Sequence, residues 1–199
     1  MKSPYVGNLI PNDMDAKRLC ESTFHFAEFF EHFEIEPPQL GRKALVWGHC
    51  HQKATGGMDA DLALLKRMGV EAGELKAGCC GLAGSWGFEA GHHDLSMAIG
   101  EQGLLPKVRS LPEDELVVAN GFSCKTQIEQ GDTGRRALHL AQVMQLAREH
   151  GPEGPAGPKP ERHAAPRPAP SRARRALRIA GPAVAGIALA SMFTRARKR

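Results

Sequence analysis

Residues 78–88 read Gly-Cys-Cys-Gly-Leu-Ala-Gly-Ser-Trp-Gly-Phe, a glycine-rich stretch that holds two adjacent cysteines, Cys79 and Cys80. Adjacent cysteines rarely form a disulfide with each other, because the small ring strains the peptide bond between them. Two neighbouring thiols suit a soft metal ion or a cluster, which several thiolates approach together. Glycines let the backbone bend around such a centre. The alternative is a buried turn with two small apolar cysteines.

Three segments of the chain carry cysteines that could take part in such a centre, and each of them follows a predicted strand. The predicted strands cover residues 43–48, 71–77 and 116–120. Cys50 follows the first strand, Cys79 and Cys80 follow the second, and Cys124 follows the third. In a parallel sheet the carboxyl ends of the strands share one edge, where open α/β sheets place their sites. We therefore expect these four cysteines to converge.

Helical patterns accompany the strands. They cover residues 14–33, 59–68, 89–105 and 135–149, with Cys20 as a structural cysteine inside the first. Strands that alternate with helices predict an α/β fold, here a small, mainly parallel sheet with flanking helices.

The charge divides the 199-residue chain into two parts. Residues 151–199 carry 11 Lys and Arg against two Asp and Glu, a balance of +9, so residues 1–150 carry −5. An acidic body gives no indication of nucleic-acid binding. Five cysteines without an N-terminal signal peptide favour a reducing cytosol over a disulfide framework. We predict a domain at 1–150, a Pro/Ala/Gly-rich linker at 151–171 and a basic tail at 172–199.

Four thiolates can bind either a tetrahedral zinc ion or an iron–sulfur cluster. Zinc sites usually draw paired ligands from two short knuckles, whereas here three separate strand ends contribute. The arrangement favours a multi-metal centre over a single ion.

Three stretches together resemble the cysteine-rich, or CCG, domain of heterodisulfide reductases and glycolate-oxidase-type iron–sulfur proteins. They are His49-Cys50-His51-Gln52-Lys53-Ala54, Cys79 to Glu89, and Gly121-Phe122-Ser123-Cys124. Residues 93–106 and 133–141 are similar to the C-terminal end of FAD-linked oxidases that act on D-2-hydroxyacids such as lactate, glycolate or 2-hydroxyglutarate.

The resemblance implies that Cys50, Cys79, Cys80 and Cys124 bind an iron–sulfur cluster, of the 4Fe–4S type. It also implies electron transfer between FAD and a quinone or disulfide partner, next to a ferredoxin-like module. The chain departs from the family in having one cysteine in Cys124-Lys125-Thr126-Gln127, a single repeat, and neither a ferredoxin cysteine run nor a flavin domain. We therefore expect a C-terminal portion or split subunit, without catalytic residues of its own.

Four further residues are expected to support the centre without binding it. His49 and His51 flank Cys50 and are assigned to hydrogen bonding around the cluster or to structure. Gly81 lets the loop turn, and Lys125 offsets the negative charge of the thiolates. For Lys125 a solvated surface position is the simpler alternative.

The tail contains an uncharged run at residues 179–193 between arginine-rich flanks. A span needs about 20 apolar residues, so the run is short for one. A helix on an anionic membrane surface and a basic tail without membrane contact are the other interpretations. The sequence thus predicts an iron–sulfur electron-transfer module in the cytoplasm, where membrane contact through the tail would make it peripheral on the inner face. A zinc-bound or metal-free docking domain is the rival hypothesis.

Overall fold

The computed structural model describes residues 12–164. Within this range eight α-helices and three strands alternate along the chain. They are α1 (Met14–Ser22), α2 (Phe26–His32), β1 (Lys43–Trp47), α3 (Cys50–Thr55), α4 (Asp59–Arg67), β2 (Glu71–Glu74), α5 (His93–Glu101), α6 (Leu104–Arg109), β3 (Leu116–Ala119), α7 (Phe122–Gln130) and α8 (Leu140–His150). Short 3₁₀ turns cover Trp86–Phe88 and Pro160–His163.

The three strands form one parallel sheet in the order β2-β1-β3. Leu45 in the central strand pairs with Gly73 on one side and with Val117 on the other. The predicted α/β architecture is confirmed. All three strands run the same way, so their carboxyl ends lie along one edge.

Both faces of the sheet are covered, because side chains of a strand alternate between faces. Val46 and Val118 belong to one apolar cluster, which also includes Leu64 of α4 and Val143 of α8. A second cluster covers the opposite face. It contains Leu45, Trp47, Val117 and Ala119 from the strands, Leu105 and Val108 from α6, Ile128 from α7, and the cysteines Cys80 and Cys124. Two of the predicted ligands are thus part of this second core.

Two predicted helices are each divided in the structure. The helix expected over 14–33 breaks before Phe26, because the Glu28 carboxylate accepts a hydrogen bond from the His25 backbone N–H at 3.0 Å and caps a new helix. The helix expected over 89–105 begins at His93 and ends at Glu101. Pro106 lies in the first turn of α6, where a backbone N–H has no partner within the helix.

Residues 151–164 belong to the same compact unit as the sheet, which extends to Ala164. The Arg135 guanidinium and the Glu161 carboxylate form a buried ion pair, with Nε and Oε1 2.6 Å apart. Arg135 also donates to the carbonyl oxygens of Pro112 and Glu115. The first part of the predicted linker is therefore attached to the domain. Its remainder and the tail at 172–199 lie outside the described residues.

No helix within residues 12–164 is both long enough and apolar enough to cross a membrane.

Candidate functional site

The four cysteines predicted to converge begin from three neighbouring strand ends. Cys50 is the first residue of α3, shortly after β1 ends at Trp47. Cys79 and Cys80 lie in the loop after β2, and Cys124 lies in the first turn of α7 after β3. The parallel sheet therefore delivers all four to one edge.

In the structure the four thiols lie close enough to interact electrostatically. Cys79 interacts with the thiols of Cys50 and Cys80. The Cys124 thiol donates a hydrogen bond to Cys80 and also interacts electrostatically with Cys50. A continuous series of electrostatic interactions thus joins Cys50, Cys79, Cys80 and Cys124.

Exposure to solvent decreases along this series. Cys50 is exposed, Cys79 is half-buried, and Cys80 and Cys124 are buried. One side of the thiol group is therefore open to a partner molecule, while the other is enclosed by the apolar cluster around Trp47.

The thiols differ in acidity because they hydrogen-bond to one another. The bond from Cys124, with the backbone N–H groups of Leu82 and Ala83, lowers the pKa of Cys80 to about 6 despite its burial. Donation to Cys80, followed by burial, raises the pKa of Cys124. Burial is also the main reason that the pKa of Cys79 is raised. The Cys80 thiol is therefore more acidic than the thiols of Cys79 and Cys124.

Gly81 follows directly after Cys79 and Cys80 in the loop that carries them. Its backbone N–H donates to Cys79 Sγ at 3.3 Å. The residue has φ +100°, and an added Cβ would collide with the Ser96 carbonyl oxygen of α5. Only glycine fits here without moving the loop that carries the two cysteines.

His49 and His51 flank Cys50, with their ring centroids 6.4 Å apart. These residues do not continue the strand, because β1 ends at Trp47 and Cys50 starts a helix. The His49 ring lies against Gly121, where any Cβ would collide with it. Burial, followed by the nearby His51, lowers the pKa of His49. His49 thus connects the loops after β1 and β3 as a mostly neutral side chain.

Lys125 donates a hydrogen bond from Nζ to Gln142 Oε1 of α8 at 2.7 Å. The same Gln142 oxygen accepts the backbone N–H of His139. The ammonium group is therefore held by the helix that follows.

Asp61, which the sequence analysis did not select, fastens two of the cysteine segments. Its Oδ2 accepts hydrogen bonds from Gln52 Nε2 at 2.7 Å and from Asn120 Nδ2 at 2.6 Å. Gln52 lies shortly after Cys50, and Asn120 lies shortly before Cys124. Burial raises the pKa of Asp61. Its sequence signal is an acidic residue at a buried position of α4, the helix that also buries Leu64 and Leu65.

Trp47 contributes a second unforeseen feature. Its side chain is 1% exposed, and among residues 12–164 its Nε1 is the one buried side-chain nitrogen or oxygen without a hydrogen-bond partner. The indole N–H lies near Cys124 and favours the ionised form of that thiol, although the geometry falls short of a hydrogen bond.

The donor set fits an iron–sulfur cluster in its chemistry. Four soft sulfur ligands are available, and the N–H groups of Gly81, Leu82 and Ala83 approach the sulfurs of Cys79 and Cys80. Within residues 12–164, however, no three His, Cys, Asp or Glu side chains are already arranged as ligands of a metal ion. Thiols that donate to one another must lose their protons before their sulfurs bind metal, so binding requires these internal hydrogen bonds to break.

The chain is similar to parts of two kinds of dehydrogenase. It is 33% identical over 106 residues to D-2-hydroxyglutarate dehydrogenase of Escherichia coli K12, a match that covers 52% of this chain and 10% of that protein. The enzyme of the same name from Pantoea ananatis is 32% identical over 82 residues, 41% of this chain and 8% of the relative.

The second kind is anaerobic glycerol-3-phosphate dehydrogenase. One of its subunits in Escherichia coli K12 is 36% identical over 112 residues, which are 53% of this chain and 27% of the relative. No family model and no solved structure matches the chain. About half of the chain is therefore related to a minor part of larger oxidoreductases, in agreement with the oxidoreductase resemblance of its cysteine motifs.

Proposed function

We propose that this chain is an iron–sulfur electron-transfer module, the C-terminal portion or a split subunit of a flavin-linked 2-hydroxyacid oxidoreductase. The observation that carries the proposal is that Cys50, Cys79, Cys80 and Cys124 follow neighbouring strand ends at one edge of the sheet and interact electrostatically there. The related dehydrogenases support the reaction class.

In this proposal the four cysteines are the cluster ligands. Cys80, with a pKa of about 6, supplies the first thiolate at neutral pH. The other three thiols release protons as they bind, so assembly should be favoured by raising the pH. A 4Fe–4S cluster, when bound, supplies a carrier that accepts and passes on single electrons.

The exposed Cys50 gives this module an open side, and the buried Cys80 and Cys124 keep water from the other. Electrons would enter and leave through the open side, where a partner can approach. His49, Gly81 and Lys125 hold the surrounding loops and helix in position.

The proposed partners are an FAD-containing oxidase and a ferredoxin-like subunit or domain. Support comes from the relatives, of which this chain spans 10% and 27%, since the remaining length of such proteins must hold the rest of the reaction. A quinone is the proposed final acceptor. We place the protein in the cytoplasm at the inner face of the membrane, on the basis of the basic tail at 172–199.

The central test is metal content. The full chain is purified without oxygen, and iron, acid-labile sulfide and visible absorbance are measured for the wild type and for C80S and C124S. We expect iron and sulfide in the wild type and their loss in both variants. C20S is the matched control, because Cys20 is a buried cysteine of α1 outside the thiol group, and it should keep its iron.

Two results would overturn the cluster assignment. Colourless protein with one zinc ion that depends on the same cysteines would favour the zinc-bound docking domain. Protein without metal, even after anaerobic reconstitution with iron and sulfide, would favour a metal-free domain. The location is tested separately by deleting residues 172–199 and comparing membrane fractions, and an unchanged membrane content would contradict the proposed role of the tail.

A further inference from the structure

Trp47 carries a buried hydrogen-bond donor that the folded protein leaves unused. The side chain is 1% exposed at the end of the central strand, so water does not reach Nε1. No acceptor within residues 12–164 takes this N–H. Native proteins leave few buried polar groups unsatisfied, and such a group calls for an explanation such as a bound ion or a functional role.

The indole ring is held in place from several sides. It belongs to the apolar cluster that contains Cys80 and Cys124. The Lys53 ammonium lies 5.1 Å from the ring centroid and also contacts the Ala77 carbonyl oxygen. The indole is thus packed inside the domain, between the apolar cluster and the Lys53 side chain.

Cys124 belongs to the same buried cluster, and its sulfur is an acceptor that interacts with the indole N–H. A neutral thiol accepts hydrogen bonds weakly, and this thiol is engaged as a donor to Cys80. A deprotonated Cys124 would have no proton to donate and would carry a negative charge. Hydrogen bonds to charged acceptors are shorter and stronger than neutral ones.

We propose that the Trp47 indole N–H donates a hydrogen bond to the Cys124 thiolate in the metal-loaded protein and thereby raises the reduction potential of the centre. This inference rests on the proposed function. Reduction adds one electron from an external reductant and so adds negative charge near the sulfurs. A fixed donor stabilises the reduced form more than the oxidised form, because its interaction grows with that charge.

The test compares W47F with W86F in the anaerobically purified, iron-loaded full chain. Trp86 is the matched control, because its ring stacks on His92 with centroids 4.3 Å apart and its substitution removes an indole elsewhere in the same domain. Midpoint potentials are measured by one-electron titration with a chemical reductant, and iron and sulfide are measured beside them.

We expect W47F to lower the midpoint potential by an amount equivalent to roughly a tenfold change in the ratio of reduced to oxidised centre, about 59 mV for a one-electron couple. W86F should leave the potential unchanged. Equal potentials for W47F and wild type would overturn the inference while leaving the cluster assignment intact. A wild type that binds no iron would overturn the proposed function first, so the two failures are distinguishable.

Loss of the large indole could itself prevent loading of W47F. In that event benzothienylalanine is placed at position 47 of a W86F chain. This analogue has sulfur where tryptophan has the N–H, and it keeps the ring shape. A lower potential for this isostere than for its W86F parent supports the hydrogen bond, and an equal potential overturns it.

Discussion

The Asp61 carboxylate of α4 and the Asn120 amide after β3 are joined by a hydrogen bond of 2.6 Å, although 59 positions separate them in the chain. The same Asp61 oxygen accepts a hydrogen bond from Nε2 of Gln52, a residue that lies just beyond Cys50 in the chain. Asn120 in turn accepts the backbone N–H of Leu140 through Oδ1. A single buried carboxylate therefore holds together the segments that carry Cys50 and Cys124.

Substitution of Asp61 by alanine should loosen the connection between the segments that carry Cys50 and Cys124. D61A leaves the Gln52 and Asn120 amides without their acceptor, which should lower the free energy of unfolding by about 1–3 kcal/mol and reduce the iron content. D61N keeps an oxygen for both donors and removes the buried charge, so it should be as stable as wild type or more so at neutral pH. Urea unfolding and iron analysis measure both effects, and equal losses for D61A and D61N would contradict this account.

The buried carboxyl group of Asp61 should make the stability of the fold depend on pH. Its pKa is raised by burial in the folded protein, so the folded state holds the proton more tightly than the unfolded chain does. Between the unfolded pKa of about 3.9 and the higher folded pKa, the contribution of Asp61 to stability falls as the pH rises. In D61N that part of the slope should disappear. The measurement is urea unfolding of both proteins at several pH values across this window.

Gly81 should tolerate no side chain. In G81A the new Cβ meets the Ser96 carbonyl oxygen, and alanine is disfavoured at φ +100°. We expect a loss of about 2 kcal/mol or more in the free energy of unfolding together with loss of iron. The matched control is G78A, since nothing lies within 4 Å of a Cβ added at Gly78. The explanation would be wrong if thermal denaturation and iron content gave the same result for both variants.

The acidity of Cys80 depends on Cys124. In metal-free, reduced protein, the ultraviolet absorbance of thiolate should rise with a midpoint near pH 6, the folded-state pKa of Cys80, and C80S should lack this step. C124A removes the donor that stabilises the Cys80 thiolate, so the step should move to higher pH. An unshifted step in C124A would show that the hydrogen bond between the two cysteines is not the cause.

The buried pair of Arg135 and Glu161 attaches residues 151–164 to the domain. E161A leaves the guanidinium, itself 6% exposed, without its carboxylate. Removing one partner of a buried ion pair typically costs about 3–5 kcal/mol, and chemical denaturation should show a loss in that range. D15A breaks the exposed pair with Arg18 and should change stability little. A small effect of E161A would mean that this segment contributes little to the fold.

The strands and the placement of the cysteines were predictable because they depend on local pattern. The buried runs ending at Trp47 and Ala119 are apolar, and each is followed by a cysteine segment. Helices α3 and α7 were not predicted, because both are short and start directly in the motif segments. The division of the first helix depends on the capping box of His25 and Glu28, a weaker local pattern.

The polar contacts of the site were not predictable from the sequence. Trp47 is an ordinary apolar residue of a strand until the position of its N–H beside Cys124 is known. Asp61 lies in an amphipathic helix, and its partners are 9 and 59 positions away. Both roles depend on tertiary contacts that periodicity does not encode.

The order β2-β1-β3 has a consequence for biosynthesis. As the nascent chain leaves the ribosome, β1 and β2 can pair and bring Cys50 to the vicinal cysteines, but Cys124 arrives only after β3 has added to the other side of β1. Until then the Trp47 face that Cys124 will cover is open to solvent. Under the proposed function, metal insertion should therefore be a late event that follows translation of the whole sheet.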